Sequence, residues 1–361
     1  MLAAHFLRYL VKIGTLIVID AHGRTHRFVG TPEPSVTMRL HDPALHHRLL
    51  VKPDLALGEA YMDGTLTVED GTIYDLLDLA CRNAATLDSY PLQRLQEALK
   101  RVLRRLHTYN PIGRAQRNVA HHYDLSDTLY DLFLDNDRQY SCAYFVTDND
   151  SLEVAQDNKK LHLAAKLRLE PGQKLLDIGS GWGGLALYLA RLAGVDATGV
   201  TLSVEQQKVA SERAAAAGLA DEVRFHLRDY REENGRYDRI VSVGMFEHVG
   251  TQHYRAFFRK VRELLSDDGV MLLHSIGRMT PPGGTNPWLR KYIFPGGYTP
   301  ALSEVFSAVE RAGLWVLDVE ILRLHYASTL REWRRRFEAN RGKVRALYDE
   351  RFCRMWEFYL A

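Results

Sequence analysis

Cysteine is scarce in this chain. Cys81, Cys142 and Cys353 are three in 361 residues, odd in number and far apart, which excludes a disulfide framework. A reducing, cytoplasmic setting is expected. Long apolar runs are also missing. No stretch of about 18 residues escapes a charge, so no membrane-spanning helix is expected. The first residues, MLAAHFLRYLVKIGTLIVI, resemble a signal peptide only briefly. His5, Arg8 and Lys12 interrupt them, and no small-residue cleavage site follows. Charge of one sign is lacking too: 47 Lys and Arg against 45 Asp and Glu leave +2. That excludes a uniformly basic nucleic-acid binder, and no nucleic-acid partner is expected. Repeats and low-complexity tracts are absent, and nothing calls for a metal.

What is present supports a large core, since 46% of the residues are hydrophobic and 25% are charged. The length suits about two domains. Residues 1–90 read as a small α+β domain. Strands are expected at Leu16–Ile19, His26–Val29 and Ser35–Leu40, then a helix, a strand and a helix following Thr72. Residues 91–113 read as a basic linker helix and turn. Leu92, Leu95, Leu99, Val102, Leu103 and Leu106 share one helical face, and five bases stand against one acid. From 114 to 361 short apolar strands alternate with helices. The strands are 174–179, 195–200, 223–227, 238–244, 269–276 and 315–322. That alternation predicts a mostly parallel, Rossmann-like α/β sheet covered on both faces.

The first of these strands runs into Gly179-Ser180-Gly181-Trp182-Gly183-Gly184 and then a helix. Glycines let the backbone turn sharply and approach a ligand, and a helix N-terminus favours anions. A dinucleotide fold would place an acid at the tip of the next strand, but here the tip is Thr201-Leu202-Ser203. The loop instead resembles the first motif of class I methyltransferases that use S-adenosylmethionine (AdoMet). In that resemblance Asp177 holds the loop or the methionine ammonium, and Asp229 reaches the adenine amino group.

Six further clusters follow in order. They are 118–124 (NVAHHYD), 139–145 (QYSCAYF), 245–250 (MFEHVG), 274–277 (HSIG), 292–297 (YIFPGG) and 325–330 (HYASTL). Together on this scaffold they resemble the cyclopropane-fatty-acyl-phospholipid synthases and mycolic acid cyclopropane synthases. The resemblance covers about 115–361 strongly and the N-terminal part loosely. It implies that a cis double bond in a phospholipid acyl chain attacks the AdoMet methyl, and that the resulting carbocation loses a proton as the ring closes. It also implies a bound bicarbonate as proton acceptor, held by Cys142, Glu247, His274, the backbone of Ile276, and Tyr326. The AdoMet positions implied are Tyr140, Ser141, Asp177, Gly179, Ser180, Gly181, Thr201, Leu202, Ser203, Gln206, Asp229 and Tyr230. Tyr230 stands where some relatives have Trp, and Ser180 where mycolate enzymes often have Cys.

Aromatic faces can stabilise a cation, which makes Tyr140, Tyr144, Phe145, Phe246, Tyr292, Phe294 and Tyr298 candidates. Taken without their motifs, Cys142, His274 and Tyr326 would read as core filling. Residues 331–345 carry seven bases and two acids, a second basic window for an anionic membrane. The protein is therefore expected on the inner face of the membrane, peripherally bound, with a homodimer compatible. The family's sheet has seven strands and six are found here, so the final strand is expected to be missing. Two other outcomes stay open: a same-family C-methyltransferase giving a methyl- or methylene-branched chain, and a small-molecule AdoMet methyltransferase.

Overall fold

The computed structural model describes residues 4–89 and 127–361. The 91–106 basic helix, the turn at 109–113 and the His121-His122 cluster lie outside them. The described residues form two compact units.

The first unit contains a four-stranded sheet in the order β2-β1-β3-β4. Its strands are β1 (Thr15–Ile19), β2 (Thr25–Val29), β3 (Ser35–Leu40) and β4 (Leu66–Asp70). β1 and β2 are joined by a turn that Asp20 organises. Its carboxylate accepts the His22 and Arg24 amides at 3.0 Å and contacts His26 Nε2 at 2.8 Å. The His26 bond, with the amides, holds the Asp20 carboxyl well below the usual carboxylate range. β3 alternates in burial, with Val36, Met38 and Leu40 turned into the core. The C-terminal residues 333–361 and the segment 284–293 also belong to this unit. Both segments fall within the 114–361 stretch expected to form the catalytic domain. Tyr61 donates to Glu357 at 2.7 Å, and Trp288 packs on Gly58, where a Cβ would come within 2.4 Å of the indole nitrogen.

The second unit is a five-stranded parallel sheet ordered β7-β6-β5-β8-β9. Its strands are β5 (Lys174–Ile178), β6 (Asp196–Thr201), β7 (Val223–Leu227), β8 (Tyr237–Val243) and β9 (Leu265–His274). Leu175, Leu185, Leu189 and Val241 anchor the core on one face; Phe246, Phe257, Phe258 and Val261 anchor the other. The chain steps outward from β5 to β7, then returns to β8 on the other side of β5. That reversal opens a crevice at the carboxyl ends of the strands, where such sheets bind ligands.

The strand expected at 315–322 does not form: the segment is irregular between the helices Leu302–Arg311 and Arg323–Ala339. Trp315 is 91% exposed and Leu317 80%. Its acids are drawn to the helix Leu152–Leu167, with Asp318 on Lys166 and Glu320 on Lys166 and His162. Apolar, β-prone residues do not make a strand without a neighbour to pair with.

Candidate active site

The glycine-rich loop leaves β5 with Gly179 at φ +86°, a backbone conformation that favours glycine, and a Cβ there would meet Met245 at 2.8 Å. Gly181, at φ +55°, has no atom within 4 Å of such a Cβ. The loop thus stays low over the strand ends and leaves room above it.

A single cleft gathers Tyr140, Ser141, Asp177, Gly179, Ser180, Gly181, Thr201, Leu202, Gln206, Asp229 and Tyr230. Ser203 is not among its lining residues. Its hydroxyl accepts the Gln206 amide at 3.3 Å and caps the helix Val204–Ala216. Gln206 turns back instead to accept from the Thr201 hydroxyl at 2.9 Å.

Asp177 and Asp229 are carboxylates among the lining residues. Asp177 is 2% exposed, and burial pushes its pKa up to about 7 against the pull of Lys159. Asp229 is gripped by Arg231, Nε to Oδ1 at 2.8 Å and a terminal nitrogen to Oδ2 at 2.6 Å. Sequence reasoning missed Arg231, although a local acid–base pair two residues apart was a readable signal. It also missed Gln139 and Met245, which line the same cleft. Beside Asp177, the buried Ser180 hydroxyl has no hydrogen-bond partner among the described residues.

Met245 and His248 line the cleft, whereas Cys142, Glu247, His274, Ile276 and Tyr326, the second expected group, are not among its lining residues. Glu247 follows β8. Its Oε1 accepts the Ile276 amide at 2.7 Å, while its Oε2 is buried with no partner among the described residues. Burial raises the Glu247 pKa against the Ile276 hydrogen bond. Ile276 therefore spends its backbone N–H on Glu247. His274 ends β9; its carbonyl accepts the Gly244 amide at 2.9 Å, and its Nδ1 is buried with no partner among the described residues. Burial lowers His274 to about 4, so the ring is neutral at ordinary pH.

Cys142 is 8% exposed, and burial pushes its thiol up to about 11. Its loop is tied to the helix carrying Tyr326. The Ala143 amide donates to Thr329 Oγ1 at 3.0 Å, and the Phe145 amide to His325 Nδ1 at 3.0 Å. The structure thus joins Glu247 to Ile276 and sets Cys142 against the Tyr326 helix.

Several aromatic candidates are committed elsewhere. Tyr144 is sandwiched between His162 at 4.3 Å and His325 at 4.7 Å, so both of its faces are covered. Phe246 is fully buried and stacks on Tyr254. The Tyr292 hydroxyl donates to Glu59, and that of Tyr298 to Glu304. Tyr140 keeps a place in the cleft, braced edge-on by Tyr130 and Phe133.

Comparison with known proteins identifies the family. Residues 112–361 match the family model described as mycolic acid cyclopropane synthetase, and residues 18–89 match a domain of unknown function. The chain is 39% identical over 325 residues to the cyclopropane-fatty-acyl-phospholipid synthase of Escherichia coli K12, covering 90% of this chain and 82% of that one. It is 38% identical over 337 residues to a probable fatty acid methyltransferase of Pseudomonas putida, covering 91% and 83%. Among solved structures, the mycolic acid cyclopropane synthase CmaA1 complexed with SAH and CTAB superposes at a TM-score of 0.65. Sequence identity is 36%, over 70% of this chain and 92% of that one. With a parallel sheet of this order, a glycine-rich loop after β5 and this extent of identity, the chain belongs to the mycolic acid cyclopropane synthetase family of AdoMet-dependent methyltransferases.

Proposed function

We propose that this protein transfers a methylene carbon from AdoMet to the cis double bond of an unsaturated acyl chain in a membrane phospholipid, closing a cyclopropane ring. The observation that carries this reading is the Glu247 carboxyl. One oxygen is fixed by the Ile276 amide and the other is buried and unpartnered, next to residues that line the cofactor cleft. A group transfer that ends in loss of a proton needs such a place, because the leaving proton must be received without water.

In the reaction, the alkene π pair forms a bond to the AdoMet methyl carbon while the sulfur keeps the C–S pair. The carbocation on the chain then loses a proton from the transferred methyl. The freed C–H pair closes the ring, leaving S-adenosylhomocysteine. An unactivated alkene meeting a sulfonium depends on alignment more than on nucleophilic strength. Tyr140, Ser141 and the 179–181 loop would align AdoMet, with Asp177 facing the methionine end and Asp229 the adenine. Asp229 would have to share its carboxylate with Arg231. Exclusion of water protects the cation.

The second group also suits bicarbonate. Glu247 Oε2 and His274 Nδ1 are orphaned polar atoms, and Cys142 stays a neutral thiol. A carboxyl with a raised pKa can keep a proton to share with an anion. Bicarbonate bound there would supply the proton acceptor. For their part, Glu247 would share a proton with that anion, the Ile276 amide fixes the carboxyl's rotamer, and His274 presents a neutral nitrogen.

The test is incubation with methyl-labelled AdoMet and vesicles of a monounsaturated phospholipid, followed by mass spectrometry of the released fatty acids. A labelled gain of one CH2 that survives mild hydrogenation is expected. A gain that takes up hydrogen identifies a methylene branch, and label on small polar acceptors alone overturns the lipid reading.

The same reading has the protein work peripherally on an anionic cytoplasmic membrane face. Among the described residues no helix is long and apolar enough to cross a membrane. The 331–345 window is narrower than its seven bases suggest. Arg341 is held by Glu338, Glu350 and Glu357, and Arg334 lies over the Tyr74 ring at 5.3 Å. Arg331, Arg335, Lys343 and Arg345 are exposed, while Trp333, Phe337 and Val344 face inward. The combined substitutions Arg331→Glu, Arg335→Glu and Arg345→Glu are expected to weaken binding to anionic vesicles by more than about a hundredfold in low salt, each charge near a surface being worth roughly 1 kcal/mol. AdoMet affinity should not change. Unaltered vesicle affinity in a sedimentation assay would remove this window from the membrane contact.

A further inference from the structure

A buried lysine holds part of the cleft's wall, and its charge reaches both Asp177 and His274. Lys159 sits in the helix Leu152–Leu167 and is 1% exposed. Its ammonium donates to Gln139 Oε1 at 2.7 Å and to Ser141 Oγ at 2.8 Å. One turn earlier, the fully buried Gln156 donates from Nε2 to the carbonyls of Gln139 at 3.2 Å and Ser141 at 3.0 Å. The helix thus grips the strip 139–141 twice, once by backbone and once by side chain. Gln139, Tyr140 and Ser141 all line the cleft, and the next residue along is Cys142.

A lysine ammonium is costly to bury and is kept only where its charge and donors are used. Uncharged residues such as a second glutamine could bond the same two oxygens. What they would lack is the field. The titratable groups that interact with Lys159 are Asp135, Asp137, Lys160 and Cys142, and it acts in turn on Asp177 and His274. The two groups it reaches beyond its own strip are Asp177, in the cleft's lining, and His274 at the end of β9.

We infer that Lys159 is a positioning residue for AdoMet: its ammonium fixes the Gln139–Ser141 wall of the cleft and brings a positive charge to bear on Asp177 in the same cleft. This rests on the proposed use of AdoMet, not on the lipid product. Burial lowers Lys159 to about 8, against the pull of Asp135, so it is mostly charged at neutral pH. The same ammonium opposes the burial that raises Asp177. Removing it should move the Asp177 titration to higher pH, and the acid limb of AdoMet affinity should move with it.

The test is calorimetric titration of the intact protein with AdoMet from pH 5.5 to 9, for wild type, Lys159→Met and Lys159→Gln. The glutamine variant retains a buried hydrogen bond, so it carries the test if the methionine variant fails to fold. Wild type is expected to lose affinity as pH falls through about 7. In either variant that limb should lie about one pH unit higher, costing about fivefold in affinity at pH 7 and little at pH 9. A merely structural lysine would lower affinity equally at all pH values, or lower only the melting temperature. Either result overturns the inference. Wild type that binds no AdoMet at any pH would instead overturn the cofactor reading beneath it.

Discussion

Glu247→Gln should abolish turnover while leaving AdoMet bound. The substitution preserves the shape of the side chain and an oxygen to accept the Ile276 amide at the observed 2.7 Å. It replaces the buried, unpartnered Oε2 with an NH2 group, which donates hydrogen bonds but neither takes nor releases a proton near neutral pH. A proton-handling group contributes typically 10²–10⁴-fold to rate, so a loss of about a thousandfold in kcat is expected. AdoMet affinity should change less than about twofold, because Glu247 is not among the residues lining the cofactor cleft. Stability should not fall either. Burial raises the Glu247 pKa, so the wild-type carboxyl carries a desolvation cost that a neutral amide avoids. Label transfer from AdoMet to lipid, calorimetry and thermal melting check the three statements separately. A variant retaining a third of wild-type turnover would show that the proton leaves by another route.

Much of this was readable from the residues because short apolar runs bounded by turns and helices leave a parallel sheet few alternatives. The expected runs at 174–179, 195–200 and 223–227 match β5, β6 and β7 to within a residue. The cleft's residues came instead from the family resemblance: Asp177, Gly179, Thr201 and Asp229 stand at or just past strand ends, but Tyr140 and Ser141 lie in an irregular segment and Gln206 on a helix. What failed depended on neighbours distant in sequence. Residues 315–322 have the composition of a strand, yet they lie exposed beside the Lys166–Glu320 pair. Tyr144 has the aromatic face a cation would want, but two histidines brought in from residues 162 and 325 cover it. Lys159 and Lys160 look alike in the polar stretch AQDNKKLHL. Both are buried, yet Lys160 pairs with Asp137 and Asp157, whereas Lys159 ends on two uncharged oxygens. No local pattern separates them. Arg341 read as part of a membrane stripe, but Glu338 inside the same window and Glu350 and Glu357 beyond it hold its guanidinium.

Asp177→Asn should make the ligand-free protein more stable at pH 8 and a worse binder of AdoMet. An unfolded aspartate ionises near 3.8, whereas the folded Asp177 keeps its proton up to about 7. Between those values the folded state holds a proton that the unfolded state has lost, so stability falls as pH rises. The contribution is fully favourable below 3.8 and is lost through about 7. Asparagine carries no charge at any of these pH values and escapes the penalty. The variant is expected to melt about 5 °C higher than wild type at pH 8, the gap closing toward pH 4. The cost falls on function. A carboxylate held in a buried cleft at an energetic disadvantage is relieved when a cationic group arrives to face it, and the methionine ammonium of AdoMet is such a group. Near pH 7 wild-type binding should therefore release a proton from Asp177, seen as a dependence of the binding enthalpy on the ionisation enthalpy of the buffer. The asparagine variant should show no such release and about a hundredfold weaker affinity at pH 8, as expected when a buried charge loses its partner. If wild type and variant melt together across the whole pH range, Asp177 is not a strained carboxyl, and the pH limb of AdoMet binding must come from another group.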